Sequence, residues 1–574
     1  MIMAAMTIAY LAVALVSLGR LDVPETGWKP VRAGEGFVVD LGSPRVLGRV
    51  YYYSGLGDGR AASGRYRLEY MDGQGDYYAL AEIEKKEIFI WKYLDVPTVM
   101  TARIRVTVDA PGGTLNELGF FEKGAAAPVG GLKITGINAD PRDEGRAENL
   151  FDEQGSIEYP PSYLTGMIFD EIYHARTAYE HIHKVEPYET GHPPLGKDII
   201  ALGILVFGMV PFGWRIAGTL IGAMMVPAMY MFGRRLFDGR FYGFAAASLM
   251  MFDFMHFAQT RVATVDSIVT LFVILMYYFM YVYYFRKPYE TGYGESLKPL
   301  FLSGLFFGLG AATKWNALYG APGLALLFIL AKYGEYKDYK RLMDKRARAS
   351  WLKDYVPKHL FGTLFYCVIF FVVIPVVIYV LAYIPFMMIP GPGHGLADIP
   401  ALQAHMYKFH KTLVAAHPFQ SKWWEWPLML KPVWFYVGSD MPAGRTSTIV
   451  SLGNPAVWWA GIPAVFAAAV IAAIKRDRRM VVVFAAALSL YLPWTLVARI
   501  AFIYHFFPIV PFMILAIAYV LKCMVEKYRW TRYIAYGYLA VVALLFIVFY
   551  PALSGMEVSQ GYIERLKWLD SWYF

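Results

Sequence analysis

The chain has 574 residues, of which 57% are hydrophobic and 17% charged, and its mean hydropathy is +0.39. Soluble domains average about 45–50% apolar and about 25% charged residues, so the composition points to lipid and excludes disorder, collagen and a nucleic-acid-binding domain as the main theme. The net charge of +9 has a topological source, given below, and the two cysteines, Cys367 and Cys523, lie in or beside apolar runs, which excludes a disulfide framework or a cysteine-based zinc site.

A helix that crosses about 30 Å of hydrocarbon needs about 20 mostly apolar residues. Eleven segments qualify: 2–19, 213–233, 241–258, 266–285, 298–313, 316–332, 359–388, 455–474, 480–497, 503–522 and 533–551. The first has no Lys or Arg ahead of its apolar run and no small-x-small end, so it reads as an anchor rather than a cleaved signal. The run 359–388 is long enough to tilt. With the first helix running in-to-out, the cytoplasmic loops hold Arg234, Arg235, Arg240, Arg286, Lys287, Lys298 and the basic stretches 332–358, 475–479 and 522–532. This is a positive-inside pattern, and it accounts for most of the basic charge. The short outer turns keep Arg215, Arg261, Lys314 and Arg499, which the pattern does not explain.

Between the first and second spans, residues 20–155 read as an extracytoplasmic all-β domain. Strand-like runs recur at 36–41, 47–53, 66–70, 77–82, 88–91, 103–108, 118–122 and 132–137, with turn signals such as Gly57-Asp58-Gly59, Asp72-Gly73 and Pro111-Gly112-Gly113 between them. That density of short strands suggests a sandwich or jelly roll, and the order of its motifs resembles discoidin-like carbohydrate-binding jelly rolls. Tyr51–Tyr53 or Trp91 would then stack on sugar faces, or else belong to the core. Residues 156–212 hold two amphipathic helix-like pieces, 213–388 the second to seventh spans, 389–454 an outer loop with His394, His405, His410, His417 and a Trp cluster, 455–551 the last four spans, and 552–574 an outer tail.

The densest polar cluster is "IFDEIYHARTAYEHIHKVEPYETGHPPLGK" at 168–197. Asp170 and Glu171 are adjacent acids in an apolar and aromatic setting. On a helix over 166–185, His174 lies four residues from Asp170 and three from Glu171, within reach of both. A carboxylate beside a His at the membrane surface suits a general base; the plainer alternative is a solvated interface helix. Two prolines then set up a second amphipathic stretch with Pro194 in its first turn, and Lys197 lies at the membrane surface, as a ligand or a snorkelling anchor.

Arg215 in "FGWRIAG", Arg261 and Asp266 in "QTRVATVDS", Lys314 in "TKWNALYG", and Arg499 ahead of Tyr504 and His505 all sit at outer helix ends. Singly each fits an interface anchor. Jointly they outline an outward-facing anion site, and Arg is the side chain that grips phosphate with a bidentate fork. Asp170, Glu171, His174, His181, His183 and His192 are metal-ligand types, but no HExxH spacing occurs and His181 and His183 face different sides of a helix, so no metal is expected. No Gly-rich phosphate loop is found.

The series "FDEIYHARTAYE", "HPPLGK", "FGWRIAG", "QTRVATVDS", "TKWNALYG", "HPFQSKWWEWPL" and "RIAFIYHFFPIVPF", in that order over 160–515, resembles the dolichyl-phosphate-mannose–protein mannosyltransferases, the protein O-mannosyltransferases of the GT-C class. The resemblance implies a mainly α polytopic fold, with Asp170 of the acidic pair as base and Arg215 serving the lipid phosphate. Arg499 or Lys197 would assist, and His192, Lys314, His417 and His505 occupy motif positions. The loop 389–454 is too short for the β-trefoil of eukaryotic members, and the β-domain precedes the acidic pair, which points to a prokaryotic-type member.

The expected activity is inverting transfer of a sugar, mannose in this family, from a polyprenyl-phosphate donor to Ser or Thr of exported proteins. The expected location is a cell membrane, with the active site on the extracytoplasmic side, no required cofactor and no nucleic-acid partner. Alternatives are a related transferase acting on a lipid or wall polymer and, in another class, a transporter or sugar-sensing receptor.

Overall fold

The computed structural model describes residues 1–56, 64–84, 87–345 and 349–574; the predicted turn Gly57-Asp58-Gly59 lies outside them. Eight strands, β1 (Trp28–Lys29), β2 (Gly36–Ser54), β3 (Arg65–Met71), β4 (Tyr77–Glu84), β5 (Lys92–Ala110), β6 (Leu115–Glu122), β7 (Lys133–Asn138) and β8 (Glu144–Gly145), join in one connected antiparallel sheet. Its order is β4-β3-β5-β2-β6-β1-β8, with β7 added on β2. The first half of β2 pairs β7 and its second half pairs β6, and register shifts near Asp40–Arg45 and Leu47–Arg49 let the long strand serve both. Thus 36–41 and 47–53, predicted as two strands, are one. Alternate residues Phe37, Val39 and Leu41 of β2 and Ile104, Val106 and Val108 of β5 are buried together, the period-2 burial of a packed sheet face.

The predicted strand 88–91 is a bend instead, with Phe89 at φ +59°. Its apolar run is used for docking rather than for pairing in the sheet. Ile88 and Phe89 are buried with Met167, Tyr179 and Trp214 of the helical part, and the Phe89 carbonyl accepts from Met167 N at 3.0 Å. This plug is the seam between sheet and helices.

Among the described residues, nine helices are long and apolar enough to cross a membrane. They match nine of the eleven predicted spans. The first predicted span is only the 13-residue helix α1 (Ile2–Ala14). The third is broken into α5 (Arg240–Met251) and α6 (Phe254–Thr260). The break is made by Asp253, which caps α6 by accepting from His256 N at 3.1 Å, and also accepts from Trp458 Nε1 at 2.8 Å and Asn454 N at 3.2 Å. The amphipathic pieces are α2 (Glu171–His183) and α3 (Leu195–Phe207), followed by the long helix α4 (Pro211–Phe237). After α5 and α6 comes α7 (Val265–Phe285), enclosed with Ile503–Lys527 at the bundle centre, whereas Trp351–Leu381 is mostly peripheral.

Asp253→Ala removes the cap and leaves two buried donors without an acceptor. A loss of about 2–3 kcal/mol is expected, seen as a lower thermal unfolding midpoint of the purified protein, with Asp253→Asn intermediate.

Candidate active site

The acidic pair lies where the chain turns into α2. Phe169 takes a left-handed conformation at φ +48°, and Asp170 is the cap residue, so the helix predicted from 166 starts at Glu171. This turn separates the two acids. Glu171 is fully buried and accepts from Arg215 Nε and Nη2, both at 2.7 Å, and from the backbone N–H of Ile168 and Ala263, both at 3.0 Å. Arg215, 1% exposed, also donates to the carbonyls of Leu18 at 3.0 Å, Tyr163 at 2.7 Å and Gly166 at 3.0 Å. Its guanidinium is therefore saturated by the protein. This corrects the expectation that Arg215 binds the donor phosphate and that Glu171 works in catalysis: no N–H is left for a phosphate, and the Glu171 carboxylate is enclosed.

Two other cations are also spent on structure. Lys197 gives its ammonium protons to Glu189 Oε2 at 2.7 Å, Glu189 O at 2.9 Å and His192 O at 3.0 Å, which removes it as a phosphate ligand. Arg261 donates to the carbonyls of Ala14, Val16 and Ser17 at 2.7–3.0 Å, capping the C-terminal end of α1.

Asp170 is different. Its carboxylate has no hydrogen bond or ion pair among the described residues and is half-buried. Burial, with Asp266 adding repulsion against the pull of Lys314, pushes its carboxyl up to about 7. Lys314 pairs with Asp266 at 2.8 Å, and its ammonium lies 5.8 Å from the Tyr504 ring centroid.

Lys314 also opens onto a cleft of about 430 Å³ lined by His192, Trp315, Asn316, Tyr319, His410, Lys411, Trp494 and Arg499. Arg499 makes one long hydrogen bond among the described residues, to Ile500 O at 3.4 Å, so most of its fork is available. It also borders a second cleft of about 440 Å³ with Gln420, Ser421, Lys422 and Lys431. Asn316 has both side-chain polar atoms buried and without partners at the cleft wall.

The histidines divide. His192 Nδ1 meets Glu189 Oε1 at 3.0 Å, and its ring lies edge-on to those of His174 and His410, with centroids 5.6 and 5.4 Å away. Burial holds His174 well below its usual range, and its Nδ1 has no partner. Its predicted contact with Asp170 is replaced by packing against His192. Burial, then Arg499 and His192, lower His410 to about 4, and its Nε2–H donates to Gly191 O at 2.7 Å. Burial raises Glu189, but Lys197 and His192 outweigh it and hold the carboxyl well below the usual range. His505 is buried against Trp426, Trp494 and Tyr504. His417 is exposed in the outer loop, accepting from Phe419 N, and does not line the first cleft.

Residue type alone missed Asn316, His410 and Glu189 as site residues. Asn316 sat in the quoted motif "TKWNALYG"; His410 and Glu189 carried no signal beyond their neighbourhood. The metal-ligand types in 168–197 are not gathered: Glu171 is held by Arg215, His181 by Asp198 at 2.8 Å, and His183 by Tyr179 O at 2.9 Å.

Residues 204–389 match the family described as dolichyl-phosphate-mannose-protein mannosyltransferase, and residues 396–572 match the C-terminal four-transmembrane region of protein-O-mannosyltransferase; together these cover more than half the chain. The polyprenol-phosphate-mannose–protein mannosyltransferase of Mycolicibacterium smegmatis is 26% identical over 462 residues, 71% of this chain and 87% of the relative. That of Mycobacterium tuberculosis is 26% identical over 470 residues, covering 71% and 86%. The fold is similar to the Saccharomyces cerevisiae protein O-mannosyltransferase Pmt1-Pmt2 complex bound to the sugar donor, with TM-score 0.60 at 14% identity over 71% of this chain and 89% of that one.

Arg215→Ala leaves the Glu171 carboxylate buried without its cation, and a loss of about 3–5 kcal/mol is expected. The double variant Glu171→Gln/Arg215→Met should regain part of it. Arg215→Lys should lower the unfolding midpoint while folded protein keeps its donor affinity within about twofold. Normal stability with lost donor binding would return Arg215 to the phosphate.

Proposed function

The chain belongs to the dolichyl-phosphate-mannose–protein mannosyltransferase family, a multi-span membrane protein of GT-C fold, and we propose from that premise how it moves mannose from a polyprenyl-phosphate donor to proteins. The observation that carries the proposal is the pattern of partners among the buried and half-buried acids of this region. Glu171 pairs with Arg215, Glu180 with Arg176, Glu189 with Lys197 and Asp266 with Lys314, all within 2.8 Å. Among the described residues, Asp170 alone in this group has no partner. An unpaired carboxylate that feels Lys314, itself opening onto a cationic cleft, suits a base poised near an anionic leaving group.

In this reading the donor phosphate lies against Arg499 and Lys314. Asp170 takes the proton of an acceptor Ser or Thr hydroxyl. The acceptor oxygen forms its bond to the anomeric carbon as the bond from that carbon to the phosphate oxygen breaks. One displacement inverts the anomeric centre. The lipid phosphate leaves with the bonding pair, and its charge is met by the Arg499 fork and the Lys314 ammonium. The donor is already activated, so no nucleotide or redox cofactor has a role in the step. Asn316, with donor and acceptor atoms both free at the wall, suits sugar hydroxyls. By the positive-inside pattern the cleft faces the extracytoplasmic side. The transporter and receptor readings give way to this one, because neither calls for an unpaired acid that feels Lys314.

Asp170→Asn should lower transfer from a polyprenyl-phosphate-mannose donor to a Ser/Thr peptide by about 10²–10⁴-fold, with donor binding retained. A base must be ionised to accept a proton. With its carboxyl raised to about 7, wild-type turnover should climb as pH rises through that value and level off above it. The residual rate of Asp170→Asn should lack that limb. Near-normal turnover in the variant would remove Asp170 from the step.

Arg499→Ala should weaken donor binding by about 10-fold or more, with Arg499→Lys intermediate because charge is kept and the fork is lost. Unchanged donor affinity in both would move the phosphate elsewhere in the cleft.

A further inference from the structure

Outside the active site, one group of acids lacks any countercharge. Glu117 on β6, with Asp152 and Glu153 where the chain leaves the β-domain, each offer a carboxylate oxygen, and these oxygens lie within 4.8 Å of one another. No Lys, Arg or His pairs with them among the described residues. Thr26 Oγ1 donates to Asp152 at 3.0 Å, and the backbone N–H groups of Glu25 and Thr26 donate to Glu153 at 2.8–3.1 Å. Glu117 Oε1 accepts from Gln154 Nε2 at 2.5 Å and from Glu153 N at 3.3 Å.

A second observation points to a ligand. Glu117 is fully buried, and its other oxygen, Oε2, has no donor within reach. Gln154 Oε1, on the side chain that touches Glu117, is likewise buried and without a partner. A buried carboxylate oxygen with no donor is costly. The orphaned Glu117 oxygen belongs to a group with two further carboxylates; a bound cation would satisfy that set, and without one burial pushes the Glu117 carboxyl up to about 8. The donors are all oxygen, which selects a hard cation. Magnesium usually keeps several waters and takes one or two carboxylates, whereas calcium accepts a larger and more flexible set of protein oxygens, so a three-carboxylate group fits calcium.

We propose that Glu117, Asp152 and Glu153 form a calcium site. The site ties three pieces of chain: Glu25–Thr26 entering the β-domain, strand β6 inside it, and 152–154 leaving it toward the acidic pair. Calcium there is structural, a clasp at the neck of the domain, and it takes no part in sugar transfer.

The test uses the purified full-length protein stripped with chelator and then titrated with calcium chloride, followed by calorimetry and by thermal unfolding. One calcium should bind per chain. The unfolding midpoint should rise by about 2–8 °C at saturating calcium, and less with magnesium chloride. Glu117→Gln should abolish both binding and shift. It should also melt at or above the calcium-free wild type, because the amide removes the buried charge. Should Glu117→Gln fail to fold, Asp152→Asn, at an exposed position, carries the same comparison and should weaken binding at least 10-fold. No heat and no shift at about 10 mM calcium, beyond the weak end of known calcium sites, would overturn the proposal. So would an equal shift in Glu117→Gln, or in Asp152→Asn.

Discussion

The buried pair of Arg215 and Glu171 is the constraint on which the site depends. Two opposite charges are withdrawn from water together, which is tolerable only when every proton and lone pair finds a partner. Here the guanidinium meets both carboxylate oxygens and the carbonyls of Leu18, Tyr163 and Gly166, while the carboxylate also accepts from Ile168 N and Ala263 N. One ion pair thus gathers the end of the first helix, the strap before α2, the start of α2, α4 and the turn before α7. The next residue back along the chain from Glu171 is Asp170, so the knot that fixes one acid also fixes where the other points.

The same accounting sorts the outer cations. Positive-inside selection leaves Arg215, Arg261, Lys314 and Arg499 unexplained, and the structure gives them separate fates. Arg215 closes the knot on Glu171 and three loop carbonyls, and Arg261 answers to carbonyls freed at the end of α1. Lys314 is half spent on Asp266. Arg499 is nearly free. A charge at the membrane edge is retained where it is paired or where it acts, and only the last two border the cleft. The proposed function draws on the groups that the protein's own hydrogen bonds leave over.

Much of this was legible in the sequence, for definite reasons. Hydropathy marks a membrane helix because a lipid-facing backbone must satisfy itself within the segment, so nine spans matched the predicted runs. The motif string named His192, Lys314 and Arg499, which line one cleft, and Asp170, which feels Lys314. Partner choice was not legible. Arg215 and Arg499 look alike as residues at helix ends, and only tertiary contacts decide that one is saturated and the other open. The apolar run 88–91 reads as a strand by propensity, yet it is buried against helices. The break at Asp253 is one acid in an apolar stretch, and its meaning depends on Trp458 and Asn454, some two hundred residues further along.

The β-domain is therefore more than an attachment to a helical enzyme. Its plug, Ile88 and Phe89, packs on Met167 and Tyr179, and Phe89 O holds Met167 N. From Met167 only Ile168 and Phe169 remain before Asp170. The strap is held from the membrane side by Arg215 on Tyr163 O and Gly166 O, and from the domain side by Phe89. A chain fixed from both sides within a few residues has little freedom left at its tip, and the left-handed turn at Phe169 persists because its ring stacks on Phe435, with centroids 4.3 Å apart. Reaction by displacement demands that the base and the leaving group keep their separation through the step. The sheet supplies one of the two anchors on this stretch, so the position of Asp170, the base in the proposed reading, rests on the domain seam as well as on the bundle.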